Sequence, residues 1–346
     1  MEQYPRIVLD TQGGDRELGE VVRGGEKAAS DHDLNVILAG NRQSIEDELS
    51  RRARKHMTVL DAPDVVSMED SPKDVIRNKP ESSLVRGVEA VRDGLADAFV
   101  SPANTGAVMA TSLFKLGRIE GIDRPGIAAV IPTVSGHNVL LIDVGANADC
   151  SPQNLKEFAI MGRVYAQEIL DVDQPRLGMI NIGSERSKGN SLALKTFFLL
   201  EQLDGFIGNI EGNRILNGGV DVVVCDGFVG NVLLKSYEGG TASTVEFLRR
   251  AIARDILARL GSFVIMPALK KFKRSLSAAR YGGAPLLGVK GSVIVAHGNS
   301  DAEAIKNAVR TAGESVSHQL INKIGRGIED APASDPMNPE PTGVNS

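Results

Sequence analysis

Five stretches of this chain combine glycine with small amides and carboxylates. They are Asp10-Thr11-Gln12-Gly13-Gly14-Asp15, Ser101-Pro102-Ala103-Asn104-Thr105-Gly106, Asp143-Val144-Gly145-Ala146-Asn147, Asn181 through Ser187-Lys188-Gly189-Asn190, and Asp226-Gly227-Phe228-Val229-Gly230-Asn231. Glycine lets backbone N–H groups come close to a ligand, and helix N-termini add positive potential, so such stretches suit an anion. Asn104 or Thr105 can open a helix running to Leu116. Asn231 and Lys235 lie four residues apart on the helix expected after Asp226, so they share a face and Lys235 can bring a charge to an anion. His297, in Ala296-His297-Gly298-Asn299-Ser300-Asp301, stands between a strand pattern and a helix pattern. Each stretch taken singly also makes a good turn or N-cap. Five of them at strand ends point to a polar cleft.

The chemistry available there is anion binding, with no covalent nucleophile in view; phosphate, already anionic at neutral pH, would need none. Cys150 and Cys225 have neither a CxxC partner nor a neighbouring His and read as small buried hydrophobes. No GxGxxG follows the first strand, and Gly183 to Lys188-Gly189 lacks the spacing and the Lys-Ser/Thr pair of a Walker A loop. GxSxG and HExxH are absent as well. His32, His56, His137 and His318 read as surface or packing residues. No cofactor and no metal are expected.

The elements that must position these residues alternate. Apolar strand patterns cover Arg6 to Asp10, Leu34 to Ala39, Met57 to Leu60, Ala98 to Ser101, Ile127 to Ile131, Val139 to Asp143, Arg176 to Asn181, Val220 to Cys225 and Ser292 to Ala296. Helix-period segments lie near 17–30, 42–55, 82–94, 104–116, 153–170, 191–202, 228–259, 263–277 and 301–324. This alternation predicts an α/β fold with a mostly parallel sheet covered on both faces, and ligands at the carboxyl ends of its strands.

The 346 residues suit one large α/β domain or two smaller ones. With 39 Lys+Arg against 44 Asp+Glu, the net charge of −5 removes a global case for nucleic acid, and the lack of Trp leaves little material for base stacking. Two cysteines fit a reducing cytoplasm, and neither a secretory leader nor a membrane span is legible. Val245 to Leu276 departs from the average: eight Lys+Arg oppose two acids, giving +6 there and −11 elsewhere. It reads as two helices joined near Gly261, a protruding hairpin whose tip holds Phe263, Val264, Ile265 and Met266 between basic flanks. That pattern suits an interfacial element on an anionic membrane, with a dimer partner as the other occupant. Asp330 to Ser346, with four prolines and three acids, reads as a disordered tail.

The blocks Ser101-Pro-Ala-Asn-Thr-Gly-Ala107, Gly117-Arg-Ile-Glu-Gly-Ile-Asp-Arg-Pro125, Leu141-Ile-Asp-Val-Gly-Ala-Asn-Ala148, Val223-Val-Cys-Asp-Gly-Phe-Val-Gly-Asn-Val232 and Tyr281-Gly-Gly-Ala-Pro-Leu-Leu-Gly288, with Ser187-Lys-Gly-Asn190 and Ala296-His-Gly-Asn-Ser-Asp301, resemble the acyl-ACP:phosphate acyltransferase (PlsX) family. The resemblance runs from about Arg6 to about Ile324. It implies a three-layer α/β/α fold similar to phosphotransacetylase and isopropylmalate dehydrogenase, one acyltransferase domain over 1–328, and a homodimer. It also implies transfer of an acyl group from acyl carrier protein to inorganic phosphate at the inner face of the cell membrane. Two loops depart from the family pattern: Thr11-Gln12 stand where Ala-Met is typical, and Pro102-Ala103 where Ala-Gly is typical. The expected reacting centre is Asn104, Thr105, Asp226, Asn231 and Lys235. Asp10, Gly13, Gly14, Asp15, Ser101, Gly106, Asp143, Asn147, Lys188, Asn190 and His297 are expected around the substrate. The alternatives are a soluble acyl-CoA phosphotransacylase and a non-catalytic paralogue that docks carrier protein or membrane. A dehydrogenase using Asp10, Asp143 and Asp226 on a metal lacks any hydride-transfer motif.

Overall fold

The computed structural model describes residues 4–55, 57–67, 69–254 and 282–332. In chain order they form β1 (Arg6–Asp10), α1 (Leu18–Asp31), β2 (Asn35–Gly40), α2 (Arg42–Glu48), β3 (Thr58–Asp61), α3 (Pro72–Asn78), α4 (Ser83–Arg92), β4 (Ala98–Ser101) and α5 (Thr105–Leu116). Next come β5 (Gly126–Pro132), β6 (Asn138–Ile142), α6 (Pro152–Ile169), β7 (Leu177–Asn181), α7 (Ser191–Leu200), β8 (Phe206–Glu211), β9 (Val222–Val224) and α8 (Gly227–Arg254). After residue 281 follow β10 (Ala284–Leu287), β11 (Ser292–Val295), α9 (Ala302–Ser317) and α10 (Leu320–Glu329).

All eleven strands join one sheet in the order β3-β2-β1-β4-β11-β10-β5-β6-β9-β7-β8. Pairing is parallel within β3-β2-β1-β4-β11 and within β6-β9-β7-β8. The three antiparallel pairings, β11–β10, β10–β5 and β5–β6, lie between those blocks. Three reversals turn the second block against the first, so the carboxyl ends of β1, β4 and β11 open on one edge and those of β6, β7 and β9 on the other. The bridging strand β10 has four residues, so the two edges approach to roughly 10 Å there.

Burial on both faces explains why the strands read as unbroken apolar runs rather than alternations. Ile7 and Leu9 of β1 pack with Val21 and Val22 of α1 and Ile305 and Val309 of α9. Val8, on the opposite face, packs with Leu84 and Val88 of α4 and Val108 of α5. In the second block Leu140 and Ile142 of β6 meet Phe158 and Met161 of α6 and Ile324 of α10, while Leu141 turns to the side of Leu233 and Leu234 of α8. The result is the expected three-layer α/β/α arrangement.

All nine expected strands form. Two strands were not expected from the sequence: β8, which follows Gly205 (φ 83°) and is interrupted at Gly208 (φ 101°), and β10, which lies between Gly283 (φ 80°) and Gly288 (φ 98°) and contains Pro285. Nor was α3, with Ser71 as N-cap and Pro72 in its first turn. The single helix expected over 301–324 is two, because Gln319 takes a left-handed φ of 53° between α9 and α10. Within the stretch expected as a tail from Asp330, Ala331 packs on the core, and Lys156 Nζ donates to the Pro332 carbonyl at 2.5 Å. The expected hairpin beyond residue 254 with its expected tip near Gly261, Tyr281, His56, residues 1–3 and the rest of the expected tail from 333 lie outside the described residues. Among the described residues no helix is long and apolar enough to cross a membrane.

Candidate active site

The loop after β6 is built around one carboxylate. Asp143 is fully buried, and its Oδ1 accepts from the backbone N–H of Ile127 (3.1 Å), Gly145 (3.1 Å) and Ala146 (2.9 Å). Its Oδ2 accepts from Asn147 N (2.8 Å) and Asn147 Nδ2 (2.9 Å), and the same amide donates to the Pro125 carbonyl at 2.8 Å. The start of α8 rests on this loop. A Cβ on Gly230 would stand 1.8 Å from the Asp143 carbonyl oxygen, and one on Gly227 would stand 2.7 Å from that of Asn147. Only glycine permits that approach, which seats Asn231 against Gly145, at 3.7 Å from the position of a Gly145 Cβ. Asp226 Oδ1 accepts from Val229 N at 2.8 Å and so caps the helix.

The loop after β1 repeats the device. Asp10 is fully buried; Oδ1 accepts from Ser83 Oγ (2.6 Å), Gln12 N (3.0 Å) and Gly13 N (3.1 Å), and Oδ2 accepts from Ser101 Oγ (2.7 Å). Burial, partly opposed by these hydrogen bonds, holds the Asp10 carboxyl above the ordinary carboxylate range. Ser101 thereby links this loop to the next, where Ala103 N donates to Ser101 Oγ at 3.1 Å and Asn104 Oδ1 accepts from Gly106 N (2.9 Å) and Ala107 N (3.2 Å). A Cβ on Gly13 would stand 2.6 Å from that of Ala103, and Gly14 packs against Pro102 and the Gly298 carbonyl, which also accepts from Asp15 N at 2.8 Å. Among the described residues only Asp171 and Gln319 are non-glycines at positive φ, so Ala103 in place of glycine meets no backbone strain.

One cleft of about 860 Å³ runs between α8 and the sheet and draws on both edges. It gathers Thr105 from the start of α5, Gly145 from the β6 loop, Asn231 and Lys235 from α8, and His297 from the end of β11. Its floor is apolar, with Ile127 and Ala129 of β5, Ala284 of β10 and Val295 of β11. His297 Nδ1 accepts from Asn299 N at 3.2 Å, leaving Nε2 as the ring nitrogen free for the cleft. Cys225 and Cys150 line no part of it; their Sγ atoms donate to the carbonyls of Asp143 (3.4 Å) and Asn147 (3.6 Å). Burial first, and then the Asp143 charge, pushes the Cys150 thiol up to about 11 and raises Cys225 as well, so neither is a thiolate nucleophile at neutral pH.

Of the residues expected at the reacting centre, Thr105, Asn231 and Lys235 line the cleft, and His297 joins them from the outer set. The others take different places. Asp10, Asp143, Ser101 and Asn147, expected to face the substrate, are buried and hold the loops together. Asn104, Asn190 and Asp226 spend a side-chain oxygen on an N-terminal N–H group of α5, α7 or α8. Gly106 lies in the first turn of α5, while Gly13, Gly14 and Asp15 pack beneath Pro102, Ala103 and Gly298. Lys188, with its N–H on the Glu185 carbonyl, is exposed on the β7 loop and does not line the cleft. The sequence reading missed the wall that α8 itself supplies, through Leu234, Tyr237, Thr241 and Val245. Their three- and four-residue spacing is legible, but it names a face without saying what the face looks upon.

Residues 5–323 match the model of a family described as fatty acid synthesis protein. A phosphate acyltransferase of Pelotomaculum thermopropionicum is 46% identical over 326 residues, covering 94% of this chain and 95% of the relative. A phosphotransacetylase from Streptococcus pyogenes shares the fold at a TM-score of 0.63 and 18% identity, covering 90% of this chain and 94% of that one. A 4-hydroxythreonine-4-phosphate dehydrogenase from Klebsiella pneumoniae does so at 0.53 and 11%, covering 89% and 98%. The apolar floor, the anion-suited rim and these likenesses converge: the chain belongs to the fatty acid synthesis protein family, among its phosphate acyltransferases.

Proposed function

We propose that the chain transfers the acyl group of an acyl carrier protein thioester to inorganic phosphate, giving acyl phosphate and holo-carrier protein for phospholipid synthesis. The observation that carries this reading is one cleft in which Asn231 and Lys235, beside the backbone of Gly145, adjoin a continuous apolar floor. Phosphate, already an oxyanion at neutral pH, needs a cation and amide donors to hold it rather than a base to activate it. An oxygen of bound hydrogenphosphate attacks the thioester carbonyl carbon; the C–O bond forms, the C–S bond breaks, and the proton carried by phosphate ends on the departing thiolate. The cleft donors, Thr105 and His297 among them, face the region where the tetrahedral oxyanion develops. Asp10 and Asp143 act as positioning residues that fix the loops.

Phosphate-dependent release of free thiol from a long-chain acyl carrier protein tests the reading, with acetyl-coenzyme A as the competing substrate. Thiol released only with phosphate, and faster from the long-chain thioester, is the expected result. Preference for acetyl-coenzyme A supports the soluble phosphotransacylase alternative, and retained carrier binding without turnover supports the non-catalytic one.

We further propose that the chain works as a homodimer held peripherally on an anionic membrane. The last turns of α8, which open the +6 segment, leave Phe247 and Leu248 exposed beside Arg249 and Arg250. Each basic residue near an anionic surface contributes about 1 kcal/mol. Flotation with anionic liposomes should weaken with salt and fall severalfold when Phe247 and Leu248 become Glu. Equal flotation of parent and double variant would leave those two residues to the subunit interface.

A further inference from the structure

The turn that carries His297 joins β11 to α9 and is held largely from outside the cleft. Within the turn, Asn299 N donates to His297 Nδ1 at 3.2 Å and Ser300 N donates to the His297 carbonyl at 2.9 Å. With the Nδ1 lone pair engaged, the ring carries its proton on Nε2, the nitrogen left for the cleft. Three further contacts come from one short stretch at the start of α1. Asp15 N donates to the Gly298 carbonyl at 2.8 Å, Arg16 Nε to the Asn299 carbonyl at 3.2 Å, and Ala302 N to Glu20 Oε2 at 3.1 Å. Arg23, one turn further along α1, donates to Oε1 of the same glutamate. None of Asp15, Arg16, Glu20 and Arg23 lines the cleft.

The start of α9 is also closed to an anion. Ala302 N is spent on Glu20 and Ala304 N on Asp301 Oδ1 at 2.9 Å, so two of its first three N–H groups already face carboxylates. Phosphate is thereby left to Asn231 and Lys235, and the β11 side of the cleft offers an N–H rather than a charge.

We infer that His297 Nε2–H is the donor to the thioester carbonyl oxygen, and that Glu20 is a positioning residue that aims it, through the start of α9, together with Asp15 and Arg16. The inference rests on the acyl-transfer reading above and deepens it. His297 keeps its proton throughout, since the one that reaches the thiolate comes from hydrogenphosphate. An oxygen that gains charge only in the transition state rewards a donor fixed beforehand, and one such donor is worth about 10²–10³ in kcat. That gain requires placement to within about 0.5 Å, which a turn tied at Gly298, Asn299 and Ala302 can hold and a loosened one cannot.

The test is a double-mutant cycle on the full chain, with kcat and half-saturating phosphate read from thiol release by a long-chain acyl carrier protein. Glu20→Ala should lower kcat about tenfold, part of the value of the donor, and leave half-saturating phosphate unchanged. Glu20→Gln, whose amide oxygen still accepts from Ala302 N, should restore most of the loss. On a His297→Ala background, Glu20→Ala should cost less than about twofold, the margin within which independent effects add. A further tenfold loss on that background would overturn the inference, as would equal losses for Ala and Gln or an unchanged kcat. Arg16→Ala, which loosens the same turn at Asn299, should lower kcat severalfold in the same way and stands in if Glu20→Ala does not melt cooperatively. Nitrogen-15 shifts of the His297 ring, assigned by their absence from His297→Ala, read the geometry without turnover. The parent should show Nε2 protonated, and Glu20→Ala should move both nitrogens toward intermediate shifts, the sign of tautomer exchange; unaltered shifts would overturn the positioning role. If the parent released no thiol while those shifts still moved, the acyl-transfer reading would fail and the positioning role of Glu20 would stand.

Discussion

Asp10 shows how a residue can be legible by type and misplaced by role. A glycine-flanked aspartate at a strand end signals a cleft, yet the carboxylate here is consumed by four donors of its own loop and its neighbours. Sequence spacing brings out Gln12 and Gly13 as partners; it cannot bring out Ser83 and Ser101, which only the sheet order delivers. Because burial raises the folded-state value while the unfolded chain keeps the ordinary one near ~3.9, the folded state binds the extra proton between the two, and stability falls as pH rises through that window. Asp10→Asn should remove that decline. Its amide oxygen can still accept from Ser83, Gln12 and Gly13, and its NH₂ can donate to Ser101 Oγ. Asp10→Ala strands those donors at about 1–3 kcal/mol each. Urea melts across pH 4 to 8 check both: a steeper loss for Asn than for Ala would refute this assignment of the bonds.

At the scale of elements, α8 carries the site, and its first turn decides whether the site forms. Gly230 has no room for a methyl group against the Asp143 carbonyl, whereas Gly239 has open space around it. Gly230→Ala should therefore shift the start of α8, cost about 1–3 kcal/mol by overpacking and depress turnover. Gly239→Ala on the same helix should stabilise by about 0.5–1 kcal/mol. Paired thermal melts and thiol-release assays separate the two, and a neutral Gly230→Ala would show that the helix start has slack. The same contrast explains which elements were legible. Strands such as β1 and β6, buried on both faces, announce themselves as apolar runs, and helices such as α1 and α4 by their stripe. β10 does not: four residues containing Pro285 between glycines have neither length nor period, yet that strand joins the two blocks of the sheet.

Across the whole molecule, the alternation of strands and helices predicts the layers but not the reversal that sets the two blocks against each other. Strand pairing is non-local; nothing near Ser292 or Ala284 in the chain indicates that β11 lies beside β4 or that β10 lies beside β5. The consequence is functional, because the cleft takes Thr105 and His297 from one edge and Gly145 and Asn231 from the other. The seven sequence blocks bridged that gap by resemblance, and the family match supports the order they imply. The central claim is that phosphate binds at the Asn231–Lys235 end of this cleft. Initial rates of thiol release from a long-chain acyl carrier protein, measured against phosphate concentration for the parent and Lys235→Ala, test it most directly. Loss of a charge-assisted contact is worth roughly 1.5–3 kcal/mol, so the half-saturating phosphate concentration should rise at least tenfold in a variant that melts like the parent. Superimposable phosphate curves for the two proteins would contradict the account.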